Sequence, residues 1–381
     1  MGLITLNIAS LPLSKTLFAG PLYSGGSSEL KRLFEEIRDR DYKIIGPRLE
    51  DGVVRLGELK SFDEIPYGIG DVQRPGYYRI RMDGGRFRTP LDSPKQLLYP
   101  PELTIFRVTK DWKIEYPEYR FERIAFFGIK PCDLAAIKIM DRVQGEFGDE
   151  YFLKMRKNLL LVVENCVEPG ENCFCATMGT GPAALIGFDI AYTRLEDSVI
   201  LFQPGSDLGT DILGELSLEP ATPDQVDAFR QAILKAAEKA RAEFRLENLP
   251  DILELNLESK VYQEMAERCL GCANCNMVCP TCFCFDIIDE PELDGSSRRI
   301  RIWDGCHSYS YAQVAGGHFR KDLWARYRHS ILHKFVYWLR QFGSFGCTGC
   351  GRCITWCPAG IDLREVIFRV VREVEENAGN G

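Results

Sequence analysis

The chain has 381 residues, 45% of them hydrophobic and 27% charged, and a formal net charge of −8. Such a composition suits a globular chain with sizeable cores over two or three domains, and its acidity argues against nucleic acid as a partner. No apolar run approaches the ~20 residues of a membrane span, the longest, such as Leu159 to Val163, being strand-sized. Met1 to Ser14 carries no positively charged signal region, and the chain holds 15 cysteines. Together these features point to a reducing, cytoplasmic setting in which thiolates bind metal.

In chain order, residues 1 to about 100 read as an irregular opening. Within it, Leu30, Leu33, Phe34 and Ile37 form one stripe of a helix over Leu30–Arg40. Short strands follow at Tyr42–Ile45 and Tyr77–Arg81. Arg123–Ile129 is an apolar run of strand length, followed by helical periodicity over Leu134–Val143 with Asp133 as the expected N-cap. Asn158–Glu164 is a second such run. Strand, helix and strand with continuous apolar strands predict a parallel sheet buried on both faces. Two more strands are expected around Glu196-Asp197, and a helix over Asp224–Phe244 starts at Thr222-Pro223.

Asn248-Leu249-Pro250 is a reasonable hinge, dividing an α/β domain over 1–250 from a helical, dicluster ferredoxin-type domain over 251–381. A helix carrying Leu253, Leu257, Val261 and Met265 leads to Cys269, and another spans about Asp322–Phe342. Asp362-x-x-Glu365 forms a capping box for a last helix carrying Val366, Val370 and Val374.

This second part holds one cysteine pattern twice: Cys269, Cys272, Cys275 and Cys279-Pro280, then Cys347, Cys350, Cys353 and Cys357-Pro358. Three thiolates at i, i+3 and i+6 wrap one corner of an iron–sulfur cube, and the fourth, before Pro, ligates the cluster of the other repeat. Two [4Fe–4S] clusters follow, on Cys269/Cys272/Cys275/Cys357 and Cys347/Cys350/Cys353/Cys279. Zinc and disulfides are the bland alternatives; zinc sites favour paired C-x2-C units, and disulfides need an oxidising compartment.

Cys132, Cys166, Cys173 and Cys175 lie in the first part, at or after the ends of two expected parallel strands. The carboxyl edge of such a sheet is where ligands bind, so the four could converge on a third [4Fe–4S] cluster. Buried thiols acting as small hydrophobes, or a flavin or other ligand site, remain alternatives. Cys282, Cys284 and Cys306 read as cluster-adjacent thiols, with His307 packed or hydrogen-bonded. The glycine turn Met178–Pro182 reads as a tight turn near a cluster. The basic residues between Arg298 and Arg340 read mainly as a solvated face. No HExxH, nucleophile elbow, P-loop or dinucleotide fingerprint is visible, so no catalytic residue is nominated.

Longer strings carry a resemblance: Phe126–Leu134, Glu164-Asn165-Cys166 through Cys173-Phe174-Cys175 to Pro182, Cys279–Phe285, Trp303-Asp304-x-Cys306, Ala315–His318 and His333–Tyr337. In these the chain resembles the β subunit of cytoplasmic sulfhydrogenases (group 3 nickel–iron hydrogenases) and the related iron–sulfur subunit of anaerobic sulfite reductases. The resemblance implies a non-catalytic iron–sulfur subunit of a multi-subunit oxidoreductase. Its partners would be a flavoprotein handling NAD(P)H and a nickel–iron or sirohaem catalytic subunit. A rival expectation is that the α/β domain is itself a reductase site for a flavin or a sulfur substrate. In another, the clusters serve mainly to support a docking scaffold.

Overall fold

The computed structural model describes residues 20–196 and 198–379; Met1–Ser14, inspected above for a signal, and Asp197 of the expected turn lie outside them. Its centre is a mixed sheet of eight strands: β1 (Tyr23–Gly25), β2 (Lys43–Glu50), β3 (Val53–Glu58), β4 (Ile124–Ile129), β5 (Leu159–Glu164), β6 (Ile190–Glu196), β7 (Val199–Pro204) and β8 (Glu219–Pro220). Across the sheet they run β8-β1-β7-β6-β5-β4-β2-β3. Four adjacent strands, β6, β5, β4 and β2, are parallel, with Ile44 opposite Ala125, Phe126 opposite Leu161 and Ile190 opposite Val162.

The unbroken apolar character of β4 and β5 has a direct cause. Alternate side chains enter opposite cores, so both faces need hydrophobic residues. Ala125, Phe127, Leu160 and Val162 pack against Leu30, Leu33, Phe34 and Ile37 of the helix Ser27–Asp39. Phe126, Ile129, Leu161 and Val163 pack on the other side against Leu134, Ile137 and Met140 of the helix Pro131–Phe147. Gly128, at φ +76°, sits where the β4–β5 register slips, a conformation that favours glycine.

Four local expectations need correction. The helix after β4 starts at Pro131 with Lys130 as its N-cap, since proline suits the first helical position; Asp133 does not cap it and is buried against Arg352. The helix begun at Thr222-Pro223 ends at Lys239, short of Phe244. There Ala240 O accepts from Ala176 N and Ala242 N donates to Thr177 Oγ1, so the loop captures the chain. The helix before Cys269 is two, Leu249–Leu255 and Lys260–Arg268, the second begun by Ser259, whose hydroxyl accepts from Val261 N. The helical stretch ending at Phe342 is Leu323–Leu332, a π-helical turn His333–Tyr337, then Trp338–Phe342.

The helices of the second part enclose an apolar core that includes Leu253, Tyr262, Met265, Tyr327, Phe335, Val366 and Val370. Phe174 and Met178, from the loop after β5, enter the same core. A hairpin between the cysteine repeats, Phe285–Pro291 and Ser297–Trp303, pairs antiparallel with Glu102–Val108 through its second strand.

Candidate iron–sulfur centres

The two repeats have the same local structure. Gly271 and Gly349 lie at φ +64° and +62°, and Ala273 and Gly351 at +58° and +78°. Each repeat then makes a one-turn helix, Asn274–Met277 or Arg352–Thr355, and the two turns pack on one another. The left-handed residues turn backbone N–H groups toward sulfur. Gly271 N donates to Cys269 Sγ at 3.5 Å, Gly349 N to Cys347 Sγ at 3.4 Å, and Ile361 N to Cys357 Sγ at 3.4 Å. Such bonds favour the thiolate over the thiol.

The neighbourhoods of the eight thiols cross between repeats. Burial raises the Cys269 thiol; after the Gly271 N–H, its nearest influences are Cys357 and Cys272. Burial likewise raises Cys275, beside Cys306, Cys269 and Cys357. In the other repeat, burial pushes Cys347 up to about 12, with Lys334 opposing it and Cys279 and Cys350 close by. Cys353 is raised by burial beside Cys347, Cys350 and Cys279, with Cys275 next. Thus Cys357 stands beside Cys269 and Cys275, Cys279 stands beside Cys347, Cys350 and Cys353, and the two groups adjoin at Cys275 and Cys353. Among the described residues no group of three or more Cys, His, Asp or Glu stands at the spacing of one bare metal ion. An all-thiolate set in two runs that each close on Cys-Pro suits an iron–sulfur cluster better than zinc. The Cys269 end opens outward, Cys272 being exposed, whereas Cys279 and Cys350 are buried.

The four cysteines of the first part come together. Cys132 is in the first turn after β4, Cys166 lies two residues past β5, and Cys173 and Cys175 sit in the loop beyond. Cys132, Cys173 and Cys175 share one buried cluster with Cys350, which no local pattern in the sequence announces. Burial raises Cys175, with Cys173, Cys166 and Cys350 as its thiol neighbours. Burial also pushes Cys173 up to about 12, beside Cys166. The Met178–Pro182 turn borders the second repeat, Thr180 Oγ1 donating to Thr348 O at 2.6 Å.

A buried ion pair fixes these two groups to each other. Arg352, inside the second repeat, donates to Asp133 through Nη1 at 2.7 Å and Nη2 at 3.2 Å. Its Nε and Nη2 also donate to Pro90 O at 2.8 Å and Asp92 O at 2.9 Å. Both side chains are essentially inaccessible, at 1% and 0%.

Cys282, Cys284 and Cys306 gather beside Cys279 around donors that the sequence does not mark. Lys334, on the π-helical turn, donates to Cys279 Sγ at 3.1 Å and Cys282 Sγ at 3.2 Å. Asn276 Nδ2 donates to Cys306 Sγ at 3.4 Å and Cys282 Sγ at 3.6 Å. Hydrogen bonding with Cys282, then the Lys334 charge, hold the Cys279 thiol well below its usual range. His307 is packed, its Nε2 2.9 Å from Ser330 Oγ, and burial holds it down at about 4. The basic stretch is largely spent within the chain: Arg298 meets Glu290, Arg299 meets Asp289, Arg328 meets Glu258 and Arg340 meets Glu254.

These features define an iron–sulfur protein, and residues 268–361 match the family model described as a 4Fe-4S dicluster domain. Across 333 residues the chain is 33% identical to the sulfhydrogenase 2 subunit beta of Pyrococcus furiosus, covering 86% of this chain and 92% of that protein. The chain belongs to the sulfhydrogenase beta-subunit family. No solved structure matches it. Among the described residues no helix is long and apolar enough to cross a membrane.

Proposed function

We propose that the chain is an electron-relay subunit holding two [4Fe–4S] clusters, on Cys269/Cys272/Cys275/Cys357 and Cys347/Cys350/Cys353/Cys279, and a third on Cys132/Cys166/Cys173/Cys175. The observation that carries this reading is the crosswise neighbourhood of the repeat thiols, with Cys132, Cys173 and Cys175 beside Cys350. Bound there, such clusters supply one-electron transfer over a wide range of potentials. The protein binds them through thiolates, orients them with backbone N–H groups and keeps water out with the surrounding apolar core. Exposed Cys272 marks one end of the line, open to a partner. The partners are a flavoprotein that handles NAD(P)H and a catalytic subunit of nickel–iron or sirohaem type, in the cytoplasm.

Anaerobic purification with iron and acid-labile sulfide counts tests the cluster content. The isolated chain is expected to show cluster absorbance that dithionite bleaches, without turnover of hydrogen, sulfite or NAD(P)H. Robust turnover by the chain alone refutes the relay. A second reading, a flavin or sulfur-substrate site on the first part, draws on a groove of about 420 Å³ lined by Leu134, Lys138, Arg142, Ile186, Phe345 and Cys347. Flavin bound to the purified protein would favour it.

A further inference from the structure

Cys282, Cys284 and Cys306 remain outside the three groups just described, and hydrogen-bond donors surround their sulfurs. Lysine and asparagine nitrogens can only donate, so Cys282 and Cys306 are acceptors of the bonds from Lys334 and Asn276. Cys284 is hydrogen-bonded to the Tyr311 hydroxyl. Asn276 is itself locked in place, since a Cβ at Gly305 would come within 2.6 Å of its Oδ1.

The second observation is a pair of cations that, among the described residues, make no ion pair with a carboxylate. Lys95 is only 5% exposed. Its ammonium donates to Met277 O at 3.2 Å and Asn276 O at 3.4 Å and lies 3.7 Å from the Trp303 ring centre. The sulfur groups around it are Cys282, Cys279 and Cys284; those around Lys334 are Cys279, Cys282 and Cys347. A buried ammonium costs several kcal/mol unless an anion compensates it. Cys279 and its cluster answer for Lys334. Lys95, turned toward Cys282 and Cys284, calls for a further negative charge there.

We propose that Cys282, Cys284 and Cys306 hold an additional iron–sulfur cluster through three thiolates, with Lys95 and Lys334 as its counter-charges and one iron without a cysteine. Asp304 borders Cys284 and supplies the carboxylate for that fourth corner. The three thiols gather at one place, Asn276 Nδ2 lying 3.4 Å from Cys306 Sγ and 3.6 Å from Cys282 Sγ, with Cys284 beside Cys306. With Cys282 beside Cys279 and Cys306 beside Cys275, this cluster lies against both repeat clusters. It rests on the reading of the chain as a multi-cluster relay.

The test uses the full chain, purified anaerobically as wild type, Cys306→Ala, Cys284→Ser and Cys353→Ala. Cys306→Ala is expected to lose about four irons with matching sulfide, while the reduced spectra of the repeat clusters persist. Unchanged iron in folded Cys306→Ala overturns the proposal. Mild ferricyanide oxidation of the wild type is expected to give a three-iron paramagnetic signal, from loss of the iron that lacks a thiolate, and Cys284→Ser should not give it. Absence of that signal from the wild type, or its persistence in Cys284→Ser, also overturns it, even where Cys306→Ala fails to fold. Failure of the relay reading itself looks different: a wild type without iron, or Cys353→Ala with its full complement.

Discussion

Replacing Arg352 by Met isolates the contact that clamps the second repeat to the first part of the chain. The guanidinium makes four hydrogen bonds, two to Asp133 and two to the carbonyls of Pro90 and Asp92, in a site closed to water. Removing one partner of a buried pair strands the other charge, at about 3–5 kcal/mol. Each orphaned carbonyl adds about 1–3 kcal/mol before relaxation. Against a total stability of about 5–15 kcal/mol, a loss of at least about 4 is severe. At about 1.3 °C per kcal/mol for a chain of 381 residues, the thermal midpoint should fall by about 5 °C or more. Asp133→Leu combined with Arg352→Met removes both charges and should recover at least half of the loss. Circular dichroism melts of the three anaerobic, cluster-loaded proteins provide the measurement. A single variant within about 1 kcal/mol of wild type, or a double variant as weak as the single, would refute the reasoning.

Cys357→Ser should damage the cluster on Cys269, Cys272 and Cys275 and spare the one on the repeat that contains residue 357; paramagnetic resonance of the reduced protein decides, and the reverse outcome removes the crosswise assignment. Lys334→Met takes a positive charge from beside Cys279 and should make the second cluster harder to reduce, by about 50–150 mV at an effective dielectric near 20. A potentiometric titration showing no shift, or a positive one, contradicts that. Gly349→Ala should be far costlier than Gly271→Ala. Both residues have positive φ, a strain of about 1–2 kcal/mol for alanine. Only at Gly349 does the added carbon meet backbone, at 2.6 Å from Cys175 N, while at Gly271 its nearest neighbour is a leucine methyl at 3.4 Å. Equal thermal midpoints for the two variants would count against the tight docking of the second repeat on the Cys175 loop.

The sequence makes legible those features whose cause is local. β4 and β5 are readable because burial on both faces leaves no polar position, as in Ile124-Ala-Phe-Phe-Gly-Ile129. The repeats are readable because thiolate spacing follows from cluster geometry. Asp133 shows where local reading ends: by pattern it is a helix cap, but its partner Arg352 lies 219 positions along the chain. Lys334 reads as one charge on a basic face, and only the π-helical turn carries it to Cys279. The hairpin Phe285–Trp303 is not legible, although Arg298-Arg-Ile-Arg-Ile-Trp303 alternates, because its pairing strand lies in the other half of the sequence.

That pairing also constrains how the molecule can be dissected. Excising the cysteine-rich half as a portable ferredoxin would strip Ser297–Trp303 of Glu102–Val108 and lay bare a row of backbone amides, an invitation to aggregate. The hairpin is a seam stitched across the linear order of the gene, so biogenesis cannot finish one half before the other has emerged.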